Sequence, residues 1–281
     1  MIDLKNIARE TDAYNFHSHT QFCDGRATME EMLKSAIDEK INYYGFSPHS
    51  PIKCESTCNM SVECVKQYFD EFYRLKEIYA DNIHAYVSME IDYLNRDFGP
   101  HIDYFQNLNL DYRIGAVHFV ENQDKIFIDC DGRYERFKLR LHDAFRNDIR
   151  YVVEKYFEQV LTMIELGGFD ILAHFDKIAH NASLSQPGIE NQHWYKALID
   201  DVVRLAFDKK IIVEVNTKAY DEHKRIFPHN RWLYKIISSK LPIVVNSDAH
   251  YPDKINAGRK ETIKIISGIR NEINTIAQSY E

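Results

Sequence analysis

Two histidines near the start of the sequence are the first residues whose type and spacing suggest chemistry. His17 and His19 follow an extended-looking run at residues 13–16. Side chains two apart on a strand point to the same face, so the two imidazoles would project together. Imidazole is the commonest metal ligand in proteins. A chain with 13 histidines yields such a pair by chance in about half of cases, so a solvated turn is the ordinary alternative.

The same arrangement recurs near the other end of the chain. An apolar run at residues 243–246 leads to Asp248 and His250, again two ligand-type residues with one residue between them. Other ligand-type side chains also follow strand-like runs: His49, Glu90, His118 and His174. Each of these alone is typical of a hydrogen-bonded core residue or a salt-bridged carboxylate. Their shared position after strands favours a metal site for the set.

Strands and helices alternate along the chain and must position these residues. Seven strands are predicted, at residues 13–16, 43–46, 83–91, 114–119, 169–174, 211–216 and 243–246. This alternation indicates a parallel sheet with crossover helices. In a closed barrel the C-terminal ends of the strands form one rim, and the first and last strands become neighbours. Closure would bring the two terminal pairs of ligands together.

Length and composition restrict the class of protein. The 281 residues suffice for one large α/β domain, and no linker or repeat divides them. The net charge of −8, without a basic block, disfavours a dedicated nucleic-acid binder. Residues 1–15 are polar and no apolar run is long enough for a membrane span, so we predict a soluble, cytoplasmic protein. The five cysteines lack C-x-x-C spacing and are predicted to be reduced and not to bind metal.

A long charged segment at about residues 121–147 interrupts the alternation. Asp129, Asp131 and Gly132 indicate a hairpin within it. Segments of this length often carry function, so we predict a lid or a substrate-binding insertion. A tolerated surface excursion is the alternative.

The order of these motifs resembles the PHP (polymerase and histidinol phosphatase) superfamily. The chain carries H-x-H after strand one, one ligand-type residue after each of strands two to five, and D-x-H after strand seven. The resemblance covers nearly the whole chain. It implies one domain, residues 1–281, folded as a distorted (β/α)7 TIM-like barrel. The segments H-T-Q-F-C-D-G at residues 19–25 and E-V-N-T at residues 214–217 look most like the histidinol-phosphate phosphatases.

The resemblance also implies a cluster of two or three divalent transition-metal ions. The implied ligands are His17, His19, Glu90 and Asp248 for the first ion, Glu90, His118 and His174 for the second, and His49 and His250 for the third. Many superfamily members carry a further histidine where this chain has Asp24. A carboxylate there favours harder ions, manganese or iron over zinc, so we predict Asp24 as a ligand. Orientation of the turn at Gly25 is the alternative.

The chemistry that such a cluster implies is direct hydrolysis of a phosphate ester. Clustered metals lower the pKa of a bridging water, so that hydroxide can attack phosphorus near neutral pH. Glu90, as the bridging ligand, and Asp248 or His250, as groups that steer protons to the leaving alkoxide, are the predicted catalytic residues. No serine, cysteine or aspartate nucleophile is required.

Residues on the same rim are candidates for binding substrate. Arg225 and Lys177 suit a phosphate dianion. Glu214 and Asn216 share one face of strand six and are predicted to contact the substrate or to support the ligands. These two residues and the acidic residues of the insertion would favour an ammonium and an imidazole.

We therefore expect a metal-dependent phosphomonoesterase whose substrate is L-histidinol phosphate, a small phosphomonoester of histidine biosynthesis. A phosphodiesterase or exonuclease on nucleic acid and a phosphatase of another small phosphomonoester are the enzymatic alternatives. A non-catalytic metal-binding module is the alternative from another class.

Overall fold

A computed structural model describes residues 2–278 of the chain. Its strands are β1 (Tyr14–Asn15), β2 (Tyr43–Phe46), β3 (His84–Val87), β4 (Glu90–Asp92), β5 (Ile114–Ala116), β6 (Phe119–Glu121), β7 (Phe127–Asp129), β8 (Ile171–Leu172), β9 (Ile212–Asn216) and β10 (Ile243–Asn246). Its α-helices are α1 (Leu4–Glu10), α2 (Met29–Asp38), α3 (Cys64–Ile78), α4 (Asp103–Gln106), α5 (Tyr134–Phe145), α6 (Ile149–Leu166), α7 (Ile178–Ser185), α8 (His193–Asp208), α9 (Tyr220–His223), α10 (Leu233–Ser238) and α11 (Arg259–Gln278).

The strands form a parallel barrel from two sheets, in the orders β1-β2-β3 and β10-β9-β8-β5-β4. The predicted third strand is present as two pieces, β3 and β4, one in each sheet. Parallel bridges join the sheets at His49–Glu90 and at Ser18–Ala249. The seven predicted strand positions are therefore present, and the predicted α/β barrel is confirmed.

Side chains join the first and last strands, β1 and β10, at the seam where the barrel closes. Nδ2 of Asn15 donates to Oγ of Ser247 at 2.7 Å, and the backbone N–H of Phe16 donates to Oδ1 of Asn246 at 2.9 Å. These amides are buried, so each would be costly without its partner. The seam places the residue after each of these strands on the same rim.

Apolar side chains fill the barrel below the rim. This layer consists of Leu4, Tyr14, Phe16, Tyr112, Ile114, Ala116, Ile171, Ala173, Ile212 and Val244. Leu4 lies on α1, a helix that the sequence did not predict because Leu4 is its one buried residue. The crossover helices carry broader apolar stripes, and α2 begins with a capping box in which Thr28 and Glu31 bind each other's backbone N–H groups. Packing from both sides thus fixes the strands that carry the rim residues.

The segment at residues 121–147 is ordered as a hairpin and a helix. Strands β6 and β7 pair antiparallel, and their turn lies between Glu121 and Phe127 rather than at Asp129–Gly132. Helix α5 follows and buries Phe137, Leu141 and Phe145. One apolar residue per turn is a narrow stripe, which explains why the sequence suggested only a charged, irregular segment.

None of the helices in the described part of the chain is long and apolar enough to cross a membrane.

Candidate metal centre

Side chains from every part of the barrel converge at the C-terminal ends of the strands. They comprise all nine predicted ligands: His17, His19, Asp24, His49, Glu90, His118, His174, Asp248 and His250. Their donor atoms fall into three groups in which all atoms lie within 4.8 Å of one another, and a fourth such group joins His49 and His118 to Asp92. Most of these side chains are buried, so their polar atoms need partners other than bulk water.

The first group contains His17, His19 and Asp248. Nε2 of His19 lies 3.2 Å from Nε2 of His17 and 3.0 Å from Oδ1 of Asp248. Asp248 has a φ of 50°, in the left-handed region that few residues other than glycine adopt. The turn after β10 thereby directs its carboxylate towards the histidines that follow β1.

The second group contains Glu90, His118 and His174. Oε1 of Glu90 is 2.8 Å from Nε2 of His174 and 3.5 Å from Nε2 of His118. The other oxygen, Oε2, is 3.2 Å from Nε2 of His17. Glu90 therefore faces both groups, which is the position of a bridging carboxylate.

The third group contains His19, Asp24, His49 and His250. Oδ1 of Asp24 lies 3.2 Å from Nε2 of His250 and 3.8 Å from Nε2 of His49. Asp24 thus lies among the histidines, although its side chain keeps 22% of its exposure. A cation bound among these histidines would therefore have the carboxylate of Asp24 within reach.

The donor atoms at the centre fit bound divalent cations. Oδ1 of Asp24, Oε2 of Glu90 and Nε2 of His118 are buried, and none of them makes a hydrogen bond of acceptable geometry, although imidazole nitrogens lie 3.2 Å from each of the two carboxylate oxygens. Unpaired buried acceptors are costly, and a cation bound among them would remove that cost. Imidazoles with carboxylates are the ligands of zinc, iron and manganese. The residues present therefore form a divalent metal site.

Electrostatics within the cluster hold Glu90 and His174 in the protonation states that bind metal. Burial would raise the pKa of Glu90, but the imidazoles of His17, His49 and His118 outweigh burial and hold that pKa well below its usual value. Burial lowers the pKa of His174 to about 4, with Lys177 contributing. The carboxylate is therefore ionised and this imidazole neutral at pH 7, as metal coordination requires.

Asp92 is a site residue that the sequence reasoning missed. Its Oδ1 lies 2.7 Å from Nδ1 of His118, and its Oδ2 accepts from Nδ2 of Asn59 at 3.0 Å. A carboxylate on the far nitrogen of a histidine fixes the orientation and tautomer of the ring. The available signal was its spacing, because Asp92 lies two residues after Glu90 and faces the same side of the strand.

Glu214 and Asn216 lie below the cluster, fully buried, rather than at its mouth. Oε1 of Glu214 is 2.7 Å from Nδ1 of His17, and Nδ2 of Asn216 donates to Oδ2 of Asp248 at 3.1 Å. Of the two predicted roles, support of the ligands agrees with this placement. Direct contact with substrate does not, because the histidines lie above both side chains.

Two lysines place their ammonium groups beside the cluster. Nζ of Lys177 lies 2.9 Å from Oδ2 of Asp131 and 3.9 Å from Oδ2 of Asp248. Nζ of Lys218, which the sequence reasoning did not select, lies 3.4 Å from Oδ1 of Asp248 and 3.2 Å from Nε2 of His250. Both ammonium groups therefore adjoin the first group of ligands.

Arg225, the other predicted phosphate ligand, has a partner of its own. Its two terminal nitrogens donate to the two carboxylate oxygens of Glu190 at 3.2 and 3.1 Å. Both side chains are nearly buried, so a phosphate would have to displace an ion pair that is shielded from water. The two lysines are better placed to meet a phosphate at the cluster.

The chain is similar in sequence to several known proteins. Residues 15–218 match the PHP domain family. A protein of Schizosaccharomyces pombe named "Probable histidinol-phosphatase" is 24% identical over 256 residues, which cover 85% of this chain and 81% of that protein. A protein of the same name from Clostridium acetobutylicum is 23% identical over 261 residues, covering 90% of this chain and 92% of that protein.

Two solved structures share the fold. One, from Listeria monocytogenes and provisionally assigned as a histidinol phosphatase, has a TM-score of 0.77 at 20% identity over 88% of this chain and 99% of its own. The other is a histidinol phosphate phosphatase of Lactococcus lactis, solved with zinc, L-histidinol and phosphate. Its TM-score is 0.70 at 18% identity over 91% of this chain and 93% of its own.

Fold, ligand order and sequence match define the class: the chain belongs to the PHP domain family. The resemblance stated from the sequence is confirmed, and with it the prediction of a metal-dependent phosphatase.

Proposed function

We propose that this protein is a phosphomonoesterase that hydrolyses L-histidinol phosphate to L-histidinol and phosphate in the cytoplasm. The observation that carries the proposal is the convergence of three ligand groups, with Glu90 facing two of them and Lys177 and Lys218 beside them. Phosphate esters need positive charge from several directions, and this rim provides it.

The nine side chains named above would hold two or three ions of manganese, iron or zinc. When bound, such ions lower the pKa of water and neutralise phosphoryl oxygens. The carboxylate at Asp24 supports the harder ions, manganese and iron. The presence of zinc in the Lactococcus lactis structure supports a divalent ion without selecting among these three.

Three histidines are oriented by their second nitrogen. Nδ1 of His17 faces Glu214, Nδ1 of His118 faces Asp92, and Nδ1 of His250 lies 2.9 Å from the backbone carbonyl of Asp248. Carboxylates and carbonyls only accept hydrogen bonds, so each Nδ1 carries the proton. In its neutral form, which coordination requires, each ring then presents a lone pair on Nε2 to the centre.

The remaining residues would bind phosphate and move a proton. Lys177 and Lys218 would contact phosphoryl oxygens, since both lie beside the cluster. Asp248 or His250 would pass a proton to the alkoxide that leaves, because both lie at the mouth next to Lys218. The names of the relatives and the histidinol in the Lactococcus lactis structure support histidinol phosphate as the ester.

Phosphate release from a panel of esters tests the proposal. Purified protein loaded with manganese, iron or zinc should give a kcat/KM for histidinol phosphate that is roughly a hundredfold or more above that for 4-nitrophenyl phosphate. Equal values would reduce the function to a phosphomonoesterase without this selectivity. Preferential cleavage of single-stranded oligonucleotides would replace it with a nuclease.

A further inference from the structure

The insertion formed by β6, β7 and α5 delivers one carboxylate to the mouth of the metal centre. Asp131 lies just after β7, and its Oδ2 is 2.9 Å from Nζ of Lys177. The same two side chains and His118 line a small cavity beside the cluster. The insertion therefore places the carboxylate of Asp131 beside Lys177 and close to His118.

The backbone around Asp131 is held on both sides. The N–H of Cys130 donates to the carbonyl of His118 at 2.8 Å, which anchors the segment next to a ligand. Nδ2 of Asn181, on α7, donates to the carbonyls of Cys130 and Gly132 at 3.3 Å each. Preorganisation of this kind is expected of a residue that must present its side chain in one place.

Asp129, the other acidic residue of this segment, is already engaged. Its Oδ1 accepts from the backbone N–H of Asp131 at 2.9 Å, and its Oδ2 lies 2.8 Å from a guanidinium nitrogen of Arg140. Asp129 thus positions the neighbouring residue. The Asp131 carboxylate, by contrast, keeps 34% of its exposure and has Lys177 as its ion-pair partner among the described residues.

Lys177 lies between two carboxylates, so its ammonium group has more than one anionic group with which it can pair. Its ammonium is 2.9 Å from Asp131 and 3.9 Å from Asp248, and its side chain keeps only 10% of its exposure. A phosphate dianion at the cluster would attract this ammonium and weaken its pairing with Asp131. The carboxylate would then face the substrate without a cation.

We propose that Asp131 binds the ammonium group of an aminoalkyl phosphate and so selects substrates whose amine lies close to the phosphate. The inference rests on the proposed function, because Lys177 must face a bound phosphate. In histidinol phosphate the amine is on the second carbon from the ester oxygen, so phosphate and ammonium are near each other. If Lys177 binds the phosphate and Asp131 binds the ammonium, the two side chains match that spacing.

The test compares two pairs of esters that differ only in the amine. One pair is histidinol phosphate and its N-acetylated form; the other is ethanolamine phosphate and ethyl phosphate. In each pair in which the wild-type protein prefers the ester with a free amine, Asp131→Asn should lower kcat/KM for that ester at least tenfold. The value for the ester without a free amine should change little. Asp131→Glu, which keeps the charge, should lose less.

Equal losses on both members of a pair would mean that Asp131 acts only through Lys177, and the inference would be overturned. It also fails if the wild-type protein prefers the amine in neither pair. The proposed function fails separately, if histidinol phosphate is a poor substrate while ethanolamine phosphate still shows the Asp131 effect. Asp124→Asn is the matched control, since Asp124 lies in the same insertion with an exposed side chain that is 3.6 Å from Arg146. Its selectivity should equal that of the wild-type protein.

Discussion

Oε1 of Glu214 lies 2.7 Å from Nδ1 of His17, on the far side of the ring from Glu90. The same carboxylate accepts from the amide side chains of Asn216 and Asn246 and from the backbone N–H of His174. One buried carboxylate on β9 thus contacts β10 and the residues that follow β1 and β8, and it sets which nitrogen of His17 faces the centre.

Glu214→Gln should weaken metal binding and activity about 10- to 100-fold, because a neutral amide is a poorer partner for Nδ1 of His17. The measurement is metal content after dialysis at graded free metal concentrations, together with kcat. Glu222→Gln, at an exposed position on α9, is the control. A Glu214→Gln protein with unchanged metal affinity would show that the contact does not position the ligand.

Glu90→Ala should remove nearly all turnover while the barrel still folds, because this carboxylate faces two ligand groups. His84→Ala should keep most of it, since His84 is exposed on β3 and stacks on Tyr43. Turnover and far-UV circular dichroism of both variants check this. Similar losses in two folded variants would place the site elsewhere.

Chelation should abolish turnover, and manganese, iron or zinc should restore it. Elemental analysis of the active protein should give two or three transition ions per chain, because the ligands form three groups. Full activity in protein shown to contain no metal would contradict the centre described above.

The convergence of the nine side chains was predictable from the sequence because they follow strands, and closure of a barrel gathers strand ends. Residues 149–166 also carry a wide apolar stripe at helical spacing, which predicts a helix from the sequence, and α6 has these bounds, Ile149–Leu166. Helices α1 and α7 were missed, since α1 buries one residue and α7 is eight residues long. Short elements take their stability from tertiary contacts that the local sequence does not reveal.

Supporting residues were harder to predict than ligands. The role of Asp92 depends on which ring nitrogen of His118 faces it, and the proximity of Lys218 to Asp248 depends on the turn after β9. The pairing of Arg225 with Glu190 joins residues 35 apart in sequence. Each of these relations arises from packing between elements, which periodicity does not determine.

Lys218→Ala should raise KM for the phosphate ester about tenfold or more, because its ammonium adjoins Asp248 and His250 at the mouth. Arg225→Ala should mainly lower stability, since it leaves the carboxylate of Glu190 buried without its partner. Steady-state kinetics and thermal melts of each variant separate the two effects, with the exposed Lys260→Ala as control. A larger rise in KM for Arg225→Ala would restore it as the principal phosphate ligand.

The metal-free protein should lose stability as pH rises from 6.5 to 9. Burial would lower the pKa of His118, but Asp92 and Glu90 outweigh burial and raise that pKa to about 9. A folded-state pKa above the unfolded value of about 6.5 stabilises the protein below pH 6.5, and this contribution is lost as pH rises through 9.

His118→Gln should remove that dependence. Urea unfolding with a chelator present should show that the wild-type protein loses about 2 kcal/mol more than the variant across this range. Metal affinity should change in the opposite direction and increase with pH, because coordination requires the neutral ring. Parallel pH profiles for the two metal-free proteins would refute the assignment.

The seam between β1 and β10 has a consequence for biosynthesis. Phe16 and Asn246, which bind each other across it, are 230 residues apart in sequence. At ribosomal speeds of about 5–20 residues per second, His17 and His19 emerge roughly 10–50 s before Asp248 exists. The nascent chain therefore exposes two histidines that cannot yet complete their group of ligands. The group of His17, His19 and Asp248 is therefore complete only once Asp248 has been synthesised and β10 has joined β1.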